Sequence, residues 1–153
     1  MAIQDSGERR EFESGAVRDI QEGKGRCDLL PLEIVGNILN IGELHHINRF
    51  IRTLDKEDLI LALSTFANNG KMDSTELIFE VSKQFEEGAT KYGERNWEKG
   101  IPVHCYINSA VRHLLKYYRG DNDERHDRAF AWNILCCLWT IENKPELQDI
   151  IAN

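Results

Sequence analysis

Two stretches joined by a short break decide the fold: His104-Cys-Tyr-Ile-Asn-Ser-Ala-Val-Arg-His-Leu-Leu-Lys-Tyr-Tyr118 and Asp123-Glu-Arg-His-Asp-Arg-Ala-Phe-Ala-Trp-Asn-Ile-Leu-Cys-Cys-Leu-Trp-Thr-Ile141. In the first, Ile107, Ala110, Val111, Leu114, Leu115 and Tyr118 recur at helical spacing; in the second, Phe130, Ala131, Ile134, Leu135, Leu138 and Ile141 do the same. Gly120-Asp121-Asn122 breaks the run between them and Pro145 follows the second. The reading is a helical hairpin spanning residues 104–118 and 123–141.

Toward the N-terminus the same period continues. Leu77, Ile78, Val81 and Phe85 mark a helix capped by Asp73 or Ser74 and ended at Gly88 or Gly93, before a loop over residues 93–103. Asp55 starts another helix, carrying Leu59, Ile60, Leu63 and Phe66, which Asn68-Asn69-Gly70 stops. Leu44, Ile47, Phe50, Ile51 and Leu54 predict one over 43–54, and Ile34, Val35, Ile38 and Leu39 a short one over 31–40. No stretch alternates with β-branched residues. The expected fold is all-α, a bundle of five to six helices around the hairpin.

Before Pro31 the pattern fails. Residues 14–31 are punctuated by Gly15, Gly23 and Gly25, too irregular for a helix and too polar for a core strand, and residues 1–13 read as a frayed tail. The chain of 153 residues is expected to be one domain: this tail, a glycine-rich basic arm over 14–31, a helical insertion over 40–75, and site-bearing helices over 76–141.

Composition excludes several functions. With 19 Lys plus Arg against 26 Asp plus Glu, the net charge is −7, which offers no footprint for duplex nucleic acid. No window approaches a membrane-spanning length of apolar residues, and the start of the chain lacks the apolar stretch of a signal peptide, so a cytoplasmic location is expected. Cys27, Cys105, Cys136 and Cys137 form no CxxC pair and read as reduced thiols.

Four constellations have the makings of a site. Arg18, Lys24 and Arg26 among the arm's glycines suit an anion, or form an ordinary basic loop. Glu80, Glu87 and Lys91 share one helix face, which fits either a hard cation or a solvated surface. In the loop, Trp97 offers a plane for a base and Asn96 a donor and an acceptor; plain loop packing is the alternative. On the last helix Asp123, His126, Phe130 and Asn133 fall on one stripe, with His113 on the preceding helix as a partner. Polar groups on an inward stripe need partners, because each one buried alone costs roughly 1–3 kcal/mol.

Ser14-Gly-Ala-Val-Arg-Asp19, Gly23-Lys-Gly-Arg-Cys-Asp-Leu-Leu-Pro31, Glu87-Gly-Ala-Thr-Lys-Tyr-Gly-Glu-Arg-Asn-Trp97, Arg112-His113 and Asp123-Glu-x-His126 with Asn133 together resemble the dATP/dGTP diphosphohydrolase N-terminal-domain family, common in phages and prophages. That family is similar in character to the all-α MazG-like pyrophosphohydrolases, although Thr90 and His126 stand where those enzymes carry carboxylates. The resemblance implies Mg²⁺-dependent hydrolysis of a purine deoxynucleoside triphosphate, with Mn²⁺ as a substitute ion, in a bacterial host's cytoplasm and in a homo-oligomer. It implies metal ligation by Glu87 and Asp123, and catalytic roles for Glu124, His126 and His113. Arg18, Lys24, Arg26, Lys91 and Arg112 would meet phosphate, while Trp97, Asn96 and Asn133 complete the substrate contacts. A nucleotide-binding protein without catalysis is the alternative.

Overall fold

A computed structural model describes residues 6–69 and 71–152. The first five residues of the expected tail and Gly70 of the expected helix stop lie outside the described residues. The chain folds as a mainly helical bundle: α1 (Leu32–Leu39), α2 (Gly42–Thr53), α3 (Lys56–Ala67), α4 (Ser74–Tyr92), α5 (Val103–Arg119) and α6 (His126–Asn143). Local chemistry sets the starts of two of these. Asp55 accepts from the Glu57 amide at 3.0 Å, and Asp73 from the Thr75 and Glu76 amides at 2.9 and 3.3 Å, each satisfying donors that a helix leaves open.

α5 and α6 pack together as the predicted hairpin, and α3 and α4 both lie against α6. α6 is consequently buried around most of its circumference, so the adjacent Cys136 and Cys137 are both interior, although a helix turns their side chains about 100° apart. All four cysteines are free thiols. The α2–α3 pair shares this core. Phe66 of α3 meets Phe130 and Tyr117 with ring centroids 4.8 and 5.1 Å apart, and Leu44, Ile47, Phe50 and Leu59 are fully buried.

Three expectations change. α6 begins at His126, so Asp123 precedes the helix instead of standing on its stripe. On α1, Leu32 and Gly36 face inward while Ile34, Ile38 and Leu39 are exposed; on α5, Tyr118 turns outward and donates to Glu43 at 2.9 Å. The frayed tail is ordered from its second half, because β1 (Arg9–Glu11) pairs antiparallel with β2 (Val17–Asp19), Arg10 facing Arg18.

That ribbon is tied to the bundle by side chains. The Ser14 hydroxyl donates to the Gly100 carbonyl, and Asn96 holds the Val17 backbone. Gly100 has a φ of +118°, and a Cβ there would lie 2.6 Å from Leu147, so the chain passes where only glycine fits.

Candidate functional site

The ribbon, the C-terminal half of α4, and α5 and α6 enclose a cavity of about 1220 Å³, at or above the roughly 300–1,000 Å³ usual for small-molecule sites. Its wall carries seven Arg or Lys residues against two carboxylates, Asp19 and Glu124. The acidic chain therefore concentrates positive charge here.

Arg18 reaches in from β2. Its guanidinium donates to Ser109 Oγ and Asn133 Oδ1, both at 3.2 Å, and lies over the Tyr106 and Trp132 rings at 5.5 and 5.9 Å from their centroids. Arg112, one turn after Ser109 on α5, donates to the same hydroxyl at 3.2 Å. Burial lowers the Arg112 pKa from its ordinary value, and Arg18 adds to that effect. Two guanidiniums on one serine leave a concentration of like charge that an anion would relieve.

Beside them the α5–α6 turn gathers the titratable groups. His113 Nδ1 lies 3.0 Å from His126 Nδ1 and 3.5 Å from Glu124 Oε1. His126 Nε2 is 2.6 Å from Asp123 Oδ1. Burial is the foremost reason that the His113 pKa falls well below the ordinary imidazole value, with Arg112 and His126 adding to it. The hydrogen bond to His126 holds the Asp123 carboxyl below its usual range. Among the described residues, His113, Glu124 and His126 bring ligand atoms within 4.8 Å of one another, and so do Asp121, Asp123 and His126. Either group can hold a divalent cation. Two imidazoles in the first make it richer in nitrogen than Mg²⁺ prefers, whereas the Asp121–Asp123 pair supplies the oxygens that Mg²⁺ takes.

Several expected contacts are not made. Glu87 belongs to neither cluster: it accepts from Arg128 at 2.5 Å, and Glu80 accepts from Arg125 at 3.0 Å, so this face of α4 is an ion-paired seam against α6. Neither a cation site nor a solvated face describes it, because Arg125, just before α6, and Arg128, in its first turn, come down onto it. Lys91, on the same helix, is not among the cavity's lining residues. Arg26 turns away into a bidentate pair with Asp28 at 2.8 and 2.9 Å, whereas Lys24 lines the cavity, paired with Asp19 at 2.7 Å.

Asn96 reads no base edge; it accepts from the Val17 amide at 2.8 Å and donates to the Val17 carbonyl at 2.7 Å, using both functions on backbone. Trp97 borders the cavity, but its ring is engaged edge-on with Phe85 and Trp139 at centroid distances of 5.5 and 5.0 Å. Two members of the site, Ser109 and Asp121, are not among the sequence-predicted site residues. Ser109 anchors both arginines, and its only sequence signal is its place one turn before Arg112. Asp121 shows in the sequence only as part of a helix break.

Residues 66–150, just over half of the chain's length, match the family described as dATP/dGTP diphosphohydrolase, N-terminal. The chain belongs to that family. The matched part contains α4, α5 and α6 and hence the whole His/carboxylate turn, while the ribbon with Arg18 and Lys24 lies outside it. No curated protein and no solved structure matches the chain. No helix among the described residues is long and apolar enough to cross a membrane.

Proposed function

We propose that this member of the diphosphohydrolase family hydrolyses purine deoxynucleoside triphosphates to the monophosphate and pyrophosphate, in the cytoplasm. One observation carries the reading: a chain of net charge −7 lines its large cavity with seven cationic side chains, next to the His/carboxylate turn that the family match contains. A triphosphate complements such a wall. Arg18 and Arg112 take its oxygens as planar forks, and Lys24 joins by exchanging Asp19 for phosphate.

In the proposed reaction, water adds to the α-phosphorus and the bond from that phosphorus to the bridging oxygen breaks. The electron pair leaves with pyrophosphate, whose charge Arg18 and Arg112 neutralise. The proton of the attacking water passes to the His113/Glu124/His126 cluster, where burial keeps the His113 imidazole neutral and able to accept it. Mg²⁺ binds nucleotides through phosphate oxygens plus one or two carboxylates; Asp121 and Asp123 would hold it here, and Mn²⁺ would substitute. Such an ion supplies neutralisation of phosphate charge.

The test is a panel of deoxynucleoside triphosphates with Mg²⁺, products separated by chromatography. Pyrophosphate with dAMP or dGMP is expected, and Arg18→Ala should cut kcat/KM at least 10²-fold, the scale of losing one charge-stabilising donor. No turnover of any nucleotide sinks the enzyme. Thermal stabilisation by nucleotide in that case would leave the binding protein, a reading favoured by the ion pair that keeps Glu87 out of both ligand clusters. Exposed Ile34, Ile38 and Leu39 on α1 support a homo-oligomer, which light scattering of the purified chain would test.

A further inference from the structure

We propose that His113, His126 and Glu124 form a binding site for one transition-metal ion of the Mn²⁺ to Zn²⁺ class, with Asp123 orienting His126 from behind. The inference deepens the functional reading and rests on it for the nucleotide, but the ion site is testable with no nucleotide present.

Three features of the turn point to it. The first is spacing. Around a tetrahedral ion with metal–nitrogen and metal–oxygen distances of about 2.0–2.2 Å, neighbouring ligand atoms stand about 3.3–3.5 Å apart. The two Nδ1 atoms are 3.0 Å apart, and His113 Nδ1 and Glu124 Oε1 are 3.5 Å apart, so small shifts would seat an ion. The second is tautomer. An ionised carboxylate only accepts, so Asp123 at 2.6 Å obliges His126 Nε2 to carry the proton. The Nδ1 lone pair of His126 is left facing the cluster. A carboxylate behind the far nitrogen of a ligating imidazole is the usual support of such a ligand, fixing its ring and raising its basicity.

The third is setting. His126 is 2% exposed and Glu124 8%, whereas His113 and Glu124 line the cavity. Three ligands are thus held from the protein side and the remaining position opens toward the ligand space, the layout of a catalytic ion rather than a closed structural one. Two nitrogens and one oxygen select borderline transition metals over Mg²⁺. An ion there would supply an activated water beside the phosphates, in place of proton transfer to the free imidazole.

The full-length chain is stripped with a chelator, dialysed and titrated with Co²⁺ alone, followed by visible ligand-field absorption and calorimetry. One equivalent should bind with a low-coordinate spectrum, resist excess Mg²⁺ and be displaced by Zn²⁺. Asp123→Asn, a change at a half-exposed carboxylate, should weaken Co²⁺ binding about 10–100-fold with the melting temperature little changed. His113→Ala should abolish the spectrum, and Asp121→Asn should leave it intact, which separates this site from the Asp121–Asp123 pair. No stoichiometric binding, free competition by Mg²⁺, or unchanged affinity in both His113→Ala and Asp123→Asn overturns the proposal. Nucleotide hydrolysis with no Co²⁺ bound at one equivalent removes the ion and keeps the hydrolase; one bound Co²⁺ with no hydrolysis of any nucleotide keeps the ion and removes the hydrolase.

Discussion

Replacing Asn96 by alanine discriminates between two uses of one side chain. Asn96 is 7% exposed and makes two hydrogen bonds, at 2.8 and 2.7 Å, to the amide and carbonyl of Val17. Each is worth about 0.5–1.5 kcal/mol net, and a half-buried backbone group left without its partner adds a further penalty on the order of 1 kcal/mol. The loss should therefore total about 2–4 kcal/mol. In a domain of this size each kcal/mol moves the melting temperature by about 2–4 °C, so a fall of roughly 5–15 °C is expected if the ribbon and bundle unfold together. If the ribbon opens by itself, the same energy appears instead as faster amide exchange over residues 16–20, with a smaller shift in melting.

Arg18 is the neighbour of Val17, so detaching the ribbon also moves the guanidinium that the phosphates would meet. Nucleotide affinity should fall by a similar factor for dATP, dGTP, dCTP and dTTP. Calorimetric melting, hydrogen exchange and a binding series over the four nucleotides read the three consequences separately. Were Asn96 reading a base edge, Asn96→Ala would change purine-against-pyrimidine selectivity while leaving melting and exchange as in the unmodified chain. That result would refute the clamp.

Glu87→Gln removes the nearer charged partner of Arg128, whose side chain is only 4% exposed and keeps Glu80 at 3.8 Å, and should cost about 1–2 kcal/mol after allowance for the 29% exposure of Glu87 itself; metal and nucleotide binding, by titration, should be unchanged. The His104 imidazole, hydrogen-bonded to the Cys105 sulfur and to Asp149, has its pKa raised to about 9. Because the folded value lies above the unfolded one of about 6.5, this contact contributes fully below pH 6.5, fades between 6.5 and 9, and is lost above 9. Allowing for its partial exposure, about 1–2 kcal/mol should disappear over that range, and Asp149→Asn should flatten this part of the melting-temperature profile.

The helices were legible because their evidence is local. Period placed each one, with capping aspartates at α3 and α4 and glycine stops at α4 and α5 sharpening the boundaries, and the structure differs mainly by a residue or two at the ends. The ribbon was illegible for a physical reason. Its strands are three residues each, Arg-Arg-Glu and Val-Arg-Asp, and they set Arg10 directly across from Arg18, a like-charge pair that opposes pairing in isolation. Arg10 finds a local partner in the Phe12 ring at 4.6 Å, but the rest of what permits it is distant in sequence: Arg18 is drawn off to Ser109 and Asn133, and Asn96 and Gly100 hold the ribbon from the far loop. A strand made by its tertiary partners leaves no alternation to find.

The same division runs through the site. The His113–His126 pair could be read because a polar residue on an inward helical stripe demands a partner, and the neighbouring helix of the hairpin supplied it; Asp123 joins them from the turn before the helix and not from the stripe. Glu87 misled because helical spacing says which residues share a face and not what covers it. Arg125 and Arg128, at the start of α6, meet Glu80 and Glu87, which stand two turns apart on α4, and complementary charge on two long helices was the available sign of a seam. Asn96 and Trp97 show the converse difficulty. A ligand and a strand's own backbone present the same donors and acceptors, so a polar side chain in a loop carries no mark of which it will meet. The arginines escape that ambiguity in one respect. Half-burying Arg18 and Arg112 on a single serine, beside a cavity already cationic, costs folding free energy that an entering anion would offset. A site whose empty form is held under mutual repulsion is disposed toward anions before any particular contact is considered.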